Sequence, residues 1–343
     1  MTSASTHLEI NICGCALSEE VICERPIRTD RHQRVDACQP FRQVRYLGRT
    51  GNGRGTCDRG PGRVAVQISH GGRYALKIPD VVRLGPSVIE TRGKPQCREM
   101  TLEEIHRTTA RFGEAARRVR DAECDAVQLH AAHGYLLSEF LSPFFNKRTD
   151  VYGGPVENRA RFLLEVVEAV RRETGSAFPL LVKLNCQEFL EGGATVEDML
   201  EVASLLERAG VDAIEMSGGN HVEGVFGEFF PARKRKRKGE EETPYYLAEA
   251  RLFREKIRVP LMLVGGIRSL AWAGRILSEG IADYISLSRP LIREPGLIKR
   301  WRSGDTARSA CISDNGCFKP ALEGRGVLCT VEERKGERDQ GEG

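Results

Sequence analysis

The chain has 343 residues, of which 40% are hydrophobic, and a formal net charge of +4 at pH 7. This composition and so small a net charge argue against an intrinsically disordered chain and against a protein whose main partner is nucleic acid. No apolar run approaches the roughly 20 residues of a membrane helix and no secretory signal opens the chain, so we expect a soluble, cytoplasmic protein with no membrane partner.

Residues 1–62 form an atypical N-terminal segment. They contain five cysteines but no lysine, and after about Cys23 they show little periodicity of either the helical or the strand type. Leu8 to Leu17 is the one strand candidate in this segment. The stretch from Arg25 to Arg63 is typical of neither a helix nor a pair of buried strands.

From Arg63 onward, short β-rich runs alternate with longer helical patterns. The predicted strands are Val64 to Ile68, Ala126 to Leu129, Leu180 to Leu184, Asp212 to Met216, Leu261 to Val264 and Tyr284 to Leu287. The predicted helices are Thr101 to Asp121, Glu157 to Thr174, Thr195 to Ala209, Tyr246 to Lys256 and Ser269 to Glu279. Thr101 and Glu104 have the spacing of a capping box at the start of the first helix.

Six strands that are each separated by a helix or a long crossover indicate a parallel sheet. A closed (β/α)8 barrel, or TIM barrel, needs eight strands, so its first two strands are either atypical or missing. We therefore predict an α/β fold in which residues 63–305 supply strands three to eight of a barrel. Residues 306–343 are predicted to form a cysteine-containing C-terminal extension with a charged tail.

The most informative stretch runs from Val127 to Arg161 and reads VQLHAAHGYLLSEFLSPFFNKRTDVYGGPVENRAR. It begins as an apolar strand and places His130, His133 and Tyr135 where that strand ends. The carboxyl ends of the strands carry the chemistry in parallel α/β proteins. A lone histidine is more often an ordinary packed residue, but three such side chains within six positions favour a substrate site.

Two other strands carry groups that suit a ring cofactor. The amide of Gln67 offers both a donor and an acceptor, so it can bind a ring carbonyl and a ring N–H together. Lys183 can stabilise negative charge on a reduced ring. A snorkelling or ion-paired lysine without such a role is the alternative interpretation for Lys183.

The last two predicted strands end in a pattern that is typical of phosphate sites. Gly265 and Gly266 follow one strand and precede a helix that starts near Ser269, so backbone N–H groups and the helix N-terminus can both face an anion. The next strand ends at Ser288 and Arg289, and a guanidinium binds phosphate through charge-assisted hydrogen bonds. Together these groups predict a phosphorylated cofactor across the barrel mouth.

The run Arg233 to Lys238 reads RKRKRK and is followed by three glutamates. A basic hexamer is compatible with nuclear localisation or nucleic-acid binding. Because no aromatic residues are interleaved to stack on bases, we interpret the run as a charged, solvated loop and expect no nucleic-acid partner.

Taken together, the motifs resemble the Old Yellow Enzyme, or NADH:flavin oxidoreductase, family of FMN-containing TIM barrels. The resemblance covers about residues 63–330. It is carried by VQISHGGR (Val66 to Arg73), LHAAHGYLLSEFLSPFFNKRTDVYGGPVENR (Leu129 to Arg159), LVKLN (Leu181 to Asn185), LVGGIRS (Leu263 to Ser269) and DYISLSRPLIREP (Asp283 to Pro295). It implies FMN at the C-terminal face of the barrel, and NADH or NADPH as the reductant in a ping-pong cycle.

The resemblance also implies roles for the cofactor-binding residues. Gln67 would contact the pyrimidine edge of the flavin, and Lys183, which stands where many members of the family have arginine, would face flavin N1 and O2. Gly266 and Arg289, with the neighbouring backbone of Gly265 and Ser288, would hold the FMN phosphate.

For the substrate side, the resemblance implies an α,β-unsaturated carbonyl compound and reduction of its activated C=C bond. His130 and His133 would donate hydrogen bonds to the carbonyl oxygen and so stabilise the negative charge that develops there. Tyr135 would give a proton to the α-carbon after a hydride reaches the β-carbon. This is the chemistry of an ene-reductase.

Two departures from the family pattern keep alternatives open. The first two barrel strands of the family have no recognisable counterpart in residues 1–62, so an inactive, rearranged or truncated barrel that no longer holds FMN is the alternative function. Relatives of 2,4-dienoyl-CoA reductase and trimethylamine dehydrogenase bind a 4Fe-4S cluster through four cysteines after the barrel. Here Asp314 stands beside Cys311, Cys317 and Cys329 where a fourth thiolate is expected, which favours free thiols over a cluster and over a dienoyl-CoA-reductase-like enzyme. The substrate, the choice between NADH and NADPH, and whether the chain forms a homo-oligomer stay open.

Overall fold

The computed structural model describes residues 63–75, 82–91, 94–220 and 243–334. The predicted strand from Leu8 to Leu17, the rest of residues 1–62 and the basic run from Arg233 to Lys238 lie outside the described residues. Strands within the described ranges are β1 (Ala65–Ile68), β2 (Leu84–Gly85), β3 (Ile89–Thr91), β4 (Lys94–Glu99), β5 (Ala126–Ala131), β6 (Leu180–Asn185), β7 (Ala213–Ser217), β8 (Leu261–Val264) and β9 (Tyr284–Ser286).

The helices in the same ranges alternate with the longer strands. They are α1 (Leu102–Asp121), α2 (Leu136–Leu141), α3 (Val156–Thr174), α4 (Val196–Arg208), α5 (Leu247–Lys256), α6 (Leu270–Ser278), α7 (Arg289–Arg293), α8 (Leu297–Arg302) and α9 (Lys319–Leu322). None of these described helices is both long and apolar enough to cross a membrane.

The central sheet contains six parallel strands in chain order, β1-β5-β6-β7-β8-β9. The prediction of six parallel strands and five intervening helices is therefore confirmed, and each predicted boundary lies within two residues of the observed one. The capping box of α1 is confirmed as well, because Thr101 accepts from the backbone N–H of Glu104 and the Glu104 side chain accepts from the backbone N–H of Thr101.

A second, three-stranded sheet in the order β2-β4-β3 was not predicted from the sequence. Two of its strands have only two and three residues, too few to show an alternating pattern. The third, β4, includes a proline and three charged residues, a composition that disfavours strands. This small sheet lies between β1 and α1 in the chain.

Side chains on the central strands alternate between two environments, as the twofold period of a strand requires. One side of the sheet packs against the helices in the main hydrophobic core, which includes Val66, Leu129, Val182 and Leu263. The other, inner side begins with an apolar layer to which each central strand contributes one residue. That layer consists of Ala65, Ala126, Leu181, Ala213, Met262 and Tyr284.

Two positions further along four of these strands, the inner layer becomes polar. It contains Gln67 on β1, Gln128 on β5, Lys183 on β6 and Glu215 on β7, all buried. Two positions further again lie His130, Asn185 and Ser217. The inner side of the sheet is thus apolar at the amino ends of the strands and increasingly polar towards their carboxyl ends, where active sites of parallel α/β folds are built.

Candidate active site

The four buried polar residues of the inner layer form one connected chain of contacts, which we call the polar ladder (Gln67, Gln128, Glu215 and Lys183). The Nε2 atom of Gln67 donates to Oε1 of Gln128 at 2.6 Å, and Nε2 of Gln128 donates to Oε2 of Glu215 at 3.0 Å. The Nζ atom of Lys183 lies 3.1 Å from Oε1 of Glu215. A buried charge is tolerated only when it is paired and hydrogen-bonded, and the ladder satisfies this requirement.

The ladder shows which group Lys183 contacts. This lysine is ion-paired, and its side chain is only 11% exposed. Lys183 on β6 pairs with His130 on the neighbouring strand β5. The ammonium group therefore lies at the same end of the barrel as the histidine pair. An ion-paired lysine and a lysine at a cofactor site are therefore not mutually exclusive here.

The residues predicted to bind substrate do cluster. The rings of His130 and His133 lie 5.2 Å apart, centroid to centroid, in an edge-to-face arrangement. The ring of Tyr135 lies 4.7 Å from that of His130, also edge-to-face. Two imidazoles and one phenol thus share one corner of the inner surface, at the carboxyl end of β5.

Backbone contacts indicate the tautomer of His130. Its Nδ1 atom accepts a hydrogen bond from the backbone N–H of Ala132 at 3.3 Å. A neutral imidazole that accepts at Nδ1 carries its proton on Nε2, because the hydrogen bond at one ring nitrogen sets the role of the other. His130 is therefore arranged to donate a hydrogen bond through Nε2.

His133 is held in a backbone conformation that non-glycine residues rarely adopt, with φ of 62°. Its backbone N–H donates to Oδ1 of Asn185 at 3.2 Å, and its Nε2 atom lies 2.6 Å from the hydroxyl oxygen of Ser217. Residues from β6 and β7 thus fix the position of this imidazole. A strained residue that is held by several contacts is typical of functional sites.

A buried ion pair fixes the turn after β1 against α2. The Nη1 atom of Arg73 donates to Oε1 of Glu139 at 2.9 Å, and both side chains are buried. A Cβ atom on Gly72, whose φ is +57°, would lie 2.8 Å from Oε2 of Glu139, so only glycine lets the turn approach the carboxylate this closely. Burial raises the pKa of Glu139 to about 7, even though Arg73 acts in the opposite direction.

A second buried carboxylate, Glu188, ties three neighbouring segments together. It accepts hydrogen bonds from the Ser142 hydroxyl at 2.5 Å, from Nδ2 of Asn220 at 2.6 Å and from the backbone N–H of Ala194 at 2.7 Å. Burial raises its pKa, whereas these hydrogen bonds act to lower it. The segment after β5 and the segment after β7 are joined through this one side chain.

The protein groups that are predicted to bind phosphate lie on the β8 and β9 side of the barrel. Gly265 and Gly266 both have positive φ, 112° and 75°, and a Cβ atom on Gly266 would lie 2.7 Å from the ring of Tyr245. The Nη2 atom of Arg289 lies 3.4 Å from the hydroxyl of Tyr245, and Ser288 is the N-cap residue of α7. Tyr245, which the sequence did not single out, therefore connects the two glycines to the arginine.

The C-terminal extension packs against this same side. The backbone N–H of Ser309 donates to the carbonyl of Arg268 at 2.8 Å, and the Arg268 side chain donates to the carbonyl of Cys311 at 2.7 Å. Arg289 donates to Oδ1 of Asn315 at 2.7 Å. The segment that carries the cysteines is thus in contact with Arg289, the arginine that is predicted to bind phosphate.

The cysteines of the extension lie around one small cavity. Cys311, Cys317 and Cys329 are free thiols that line it together with Asp314. Burial raises the pKa of Cys317 to about 11. Among the described residues, no group of three or more Cys, His, Asp or Glu side chains has the arrangement of a metal site.

Several site residues were missed by the sequence reasoning, above all Gln128 and Glu215 in the ladder, Asn185 and Ser217 behind His133, and the ion pair of Arg73 with Glu139. The sequence does contain a signal from which two residues of the ladder could have been predicted. Gln128 and Glu215 are large polar residues in the middle of mostly apolar buried strands, AVQLHA and AIEMS, and such residues are exceptional enough to need a partner or a function. Asn185 and Ser217 carry no comparable signal in the sequence.

Another titratable residue at the barrel mouth gives a prediction about acid stability. Burial lowers the pKa of His70 to about 4 from 6.5, and its Nδ1 atom accepts from the backbone N–H of Gly72 at 3.1 Å. Between these two pH values the unfolded chain binds a proton that the folded chain does not, so stability falls as the pH falls through this window, by about 3 kcal/mol in total. His70→Asn retains an acceptor but does not titrate. We expect its free energy of unfolding to change less between pH 7 and pH 4.5 than that of the parent.

Urea denaturation at the two pH values measures this difference. His106→Asn, at an exposed position of α1, is the matched control and should keep the parental pH dependence. An unchanged pH dependence in His70→Asn would show that His70 is not held neutral by burial.

Comparison with known proteins identifies a matching family and similar enzymes. A family model described as the NADH:flavin oxidoreductase / NADH oxidase family matches residues 59–307. The chain is 34% identical to an NADH oxidase from Thermoanaerobacter brockii over 277 residues, which cover 78% of this chain and 41% of that protein. It is 36% identical to an NADPH dehydrogenase from Geobacillus thermodenitrificans over 233 residues, which cover 68% of this chain and 64% of that protein. The chain therefore spans less than two thirds of the length of either relative.

Two solved structures have a similar fold. A 2-naphthoyl-CoA reductase in complex with 2-naphthoyl-CoA gives a TM-score of 0.68 at 29% identity, covering 79% of this chain and 42% of that chain. An Old Yellow Enzyme homologue from Zymomonas mobilis gives a TM-score of 0.57 at 27% identity, covering 79% of this chain and 72% of that chain.

Proposed function

Because the chain belongs to the NADH:flavin oxidoreductase / NADH oxidase family, we propose that it is an FMN-dependent oxidoreductase that uses NADH or NADPH to reduce an activated C=C bond. The fold is the α/β TIM barrel of Old Yellow Enzyme homologues, and the described residues supply six of its parallel strands. The observation that carries the proposal is the cluster of His130, His133 and Tyr135 at the same end of the barrel as Lys183.

The residues at the barrel mouth fit FMN. The donor set combines an amide (Gln67), a buried ammonium (Lys183) and a guanidinium (Arg289), which are the groups that suit a ring with carbonyl and N–H edges and a phosphate. In addition, the hydroxyl of Ser69, fully buried directly after β1, has no hydrogen-bond partner among the described residues. A buried polar atom of this kind is expected where a bound molecule completes the site. When bound, FMN would accept a hydride from the nicotinamide and pass a hydride to the substrate.

The protein side of the chemistry follows from the geometry of the cluster. His130, with its proton on Nε2, would donate to the substrate carbonyl oxygen, and His133, positioned by Asn185 and Ser217, would supply the second donor. Donors that are fixed before the reaction stabilise developing negative charge without a reorganisation cost. Tyr135, packed against His130, would supply the proton that the α-carbon takes up.

The substrate is proposed to be a small α,β-unsaturated carbonyl compound. A second candidate is the CoA thioester of an unsaturated or aromatic acid, because one similar structure is a 2-naphthoyl-CoA reductase bound to 2-naphthoyl-CoA. The histidine pair suits both, since a ketone and a thioester each offer one carbonyl oxygen. The extension does not favour a dienoyl-CoA-reductase-like enzyme with an iron–sulfur cluster, because Asp314 stands where a fourth cysteine is expected.

The visible absorbance of the purified protein, before and after addition of FMN, tests the proposal. We expect about one FMN per chain, loss of the flavin band on anaerobic addition of NADH or NADPH, and its return on addition of 2-cyclohexenone. Comparing NADH with NADPH in the same experiment decides the nicotinamide preference. Protein that takes up no FMN would instead support the alternative of a barrel that has lost its cofactor.

A further inference from the structure

We propose that Glu215 is a positioning residue that sets both the charge and the hydrogen-bond direction of the polar ladder, and through the ladder the redox potential of FMN. The proposal rests on the proposed function, because it concerns the end of the barrel where FMN is expected. Its basis is the set of contacts made by Gln67, Gln128, Lys183 and Glu215.

The first step concerns hydrogen-bond direction. An ionised carboxylate only accepts hydrogen bonds. Glu215 therefore requires a donor from each neighbour, namely Nζ of Lys183 at 3.1 Å and Nε2 of Gln128 at 3.0 Å. With its amide nitrogen directed to Glu215, Gln128 directs its oxygen to Gln67, whose own amide nitrogen donates at 2.6 Å.

The orientation of Gln67 thus follows from Glu215 through the intervening side chain of Gln128. Reversing either amide would place two donors or two acceptors against each other in a buried site, which costs free energy. The strand β6 lies between β5 and β7, so the bond from Gln128 to Glu215 crosses the inner side of the curled sheet. Glu215 therefore acts at a distance on the residue that is expected to contact the flavin edge.

The second step concerns charge. Lys183 and Glu215 are 9% and 3% exposed, and charges interact more strongly in such surroundings than in water. Next to a cofactor that gains negative charge on reduction, a lone lysine would favour the reduced form. Its partner Glu215 offsets this effect, so the ladder is expected to hold the potential lower than Lys183 alone would.

Glu215→Gln separates these effects from simple packing, because glutamine has nearly the same shape but no charge. We expect the ratio of the affinities for reduced and oxidised FMN to rise at least about tenfold, which is about 30 mV for a two-electron couple. Glu165→Gln is the matched control. It makes the same chemical change on α3, where Glu165 accepts a hydrogen bond from Tyr152, and should leave the potential unchanged.

The measurements are the FMN midpoint potential, by anaerobic titration against a reference dye, and the dissociation constants of oxidised and reduced FMN. A Glu215→Gln protein that binds FMN at the parental potential would overturn the proposal. If that variant does not hold FMN, Lys183→Gln provides the test, because it leaves the carboxylate without its cation and should lower the potential. An unchanged potential there would overturn the proposal equally.

Failure of this inference and failure of the proposed function give different results. Parental protein that binds no FMN contradicts both. Parental protein that binds FMN and is reduced by NADH or NADPH, with the same potential in all variants, contradicts only the role of Glu215.

Discussion

Replacing His130 and His133 together by alanine is expected to slow ene reduction by at least roughly 10²- to 10³-fold, because each imidazole supplies a hydrogen bond to the oxygen that becomes negative. FMN binding and reduction by the nicotinamide should be retained, since the proposed flavin contacts come from other strands. The two rings lie 5.2 Å apart, close enough to converge on one oxygen atom. The loss should therefore appear in the oxidative half-reaction.

Anaerobic stopped-flow measurement of the two half-reactions, with 2-cyclohexenone as oxidant, provides the readout. Binding of a simple phenol, followed by its charge-transfer band with the flavin, gives a second readout that needs no turnover. The double variant should lose both. Tyr135→Phe is the matched control, because it keeps the aromatic ring beside His130 but loses the proton donor, so it should bind the phenol and still fail to reduce the enone efficiently.

Loss of flavin from the histidine variant, without a specific effect on the oxidative half-reaction, would contradict the assigned role. Normal turnover of the enone by the double variant would contradict the assigned role as well. In the first case His130 and His133 would be part of the structure that holds the cofactor, and the substrate site would have to lie elsewhere on the barrel mouth.

Much of the fold could be predicted from the sequence because its signals are local. The strand AVQLHA and the helix that begins after Thr101 each show their period and their boundary residues within a single stretch. The clustering of His130, His133 and Tyr135 was also local, since all three lie within six positions. Parallel topology then placed Gln67 and Lys183 at the same end of the barrel without any knowledge of their contacts.

The features of the site that could not be predicted from the sequence depend on contacts between residues that are far apart in the chain. Gln128 and Glu215 are 87 positions apart, and nothing in either strand names the other as its partner. The ion pair of Arg73 with Glu139 spans 66 positions, and its effect depends on burial that a sequence does not display. Arg289, which is predicted to bind phosphate, contacts Asn315 and Tyr245. These two residues lie in different segments of the chain, and neither belongs to the strand or the helix next to Arg289.

The ion pair of Arg73 with Glu139 also carries the largest expected effect on stability. Arg73→Met is expected to lower the free energy of unfolding by about 3–5 kcal/mol at pH 8, because the buried Glu139 carboxyl must then either stay ionised without its cation or take up a proton. The guanidinium also donates to the hydroxyl of Tyr74 at 3.0 Å and lies 3.8 Å from the ring centroid of Phe145. Methionine can keep part of the contact with that ring, so most of the loss should come from the charge.

The pH dependence of the variant identifies the cause. The pKa of Glu139 is about 7 with Arg73 present, and Arg73 holds it lower than burial alone would. Without Arg73 the pKa should rise further. The folded pKa of Glu139 lies above its unfolded value of about 4.5. The protonated carboxyl therefore contributes stability below the unfolded pKa, and this contribution is lost as the pH rises through the folded pKa. The difference between the parent and Arg73→Met should therefore be smaller at pH 5 than at pH 8.

Urea denaturation of the parent, Arg73→Met, Glu139→Leu and the double variant Arg73→Met/Glu139→Leu completes the test. Replacing both members of a buried ion pair by apolar residues is often close to neutral, whereas removing one is costly. We therefore expect the double variant to be more stable than either single variant, with a coupling energy that grows with pH. If the double variant instead loses the sum of the two single losses at every pH, the two side chains stabilise the turn independently, and their charges are not what joins the end of β1 to α2.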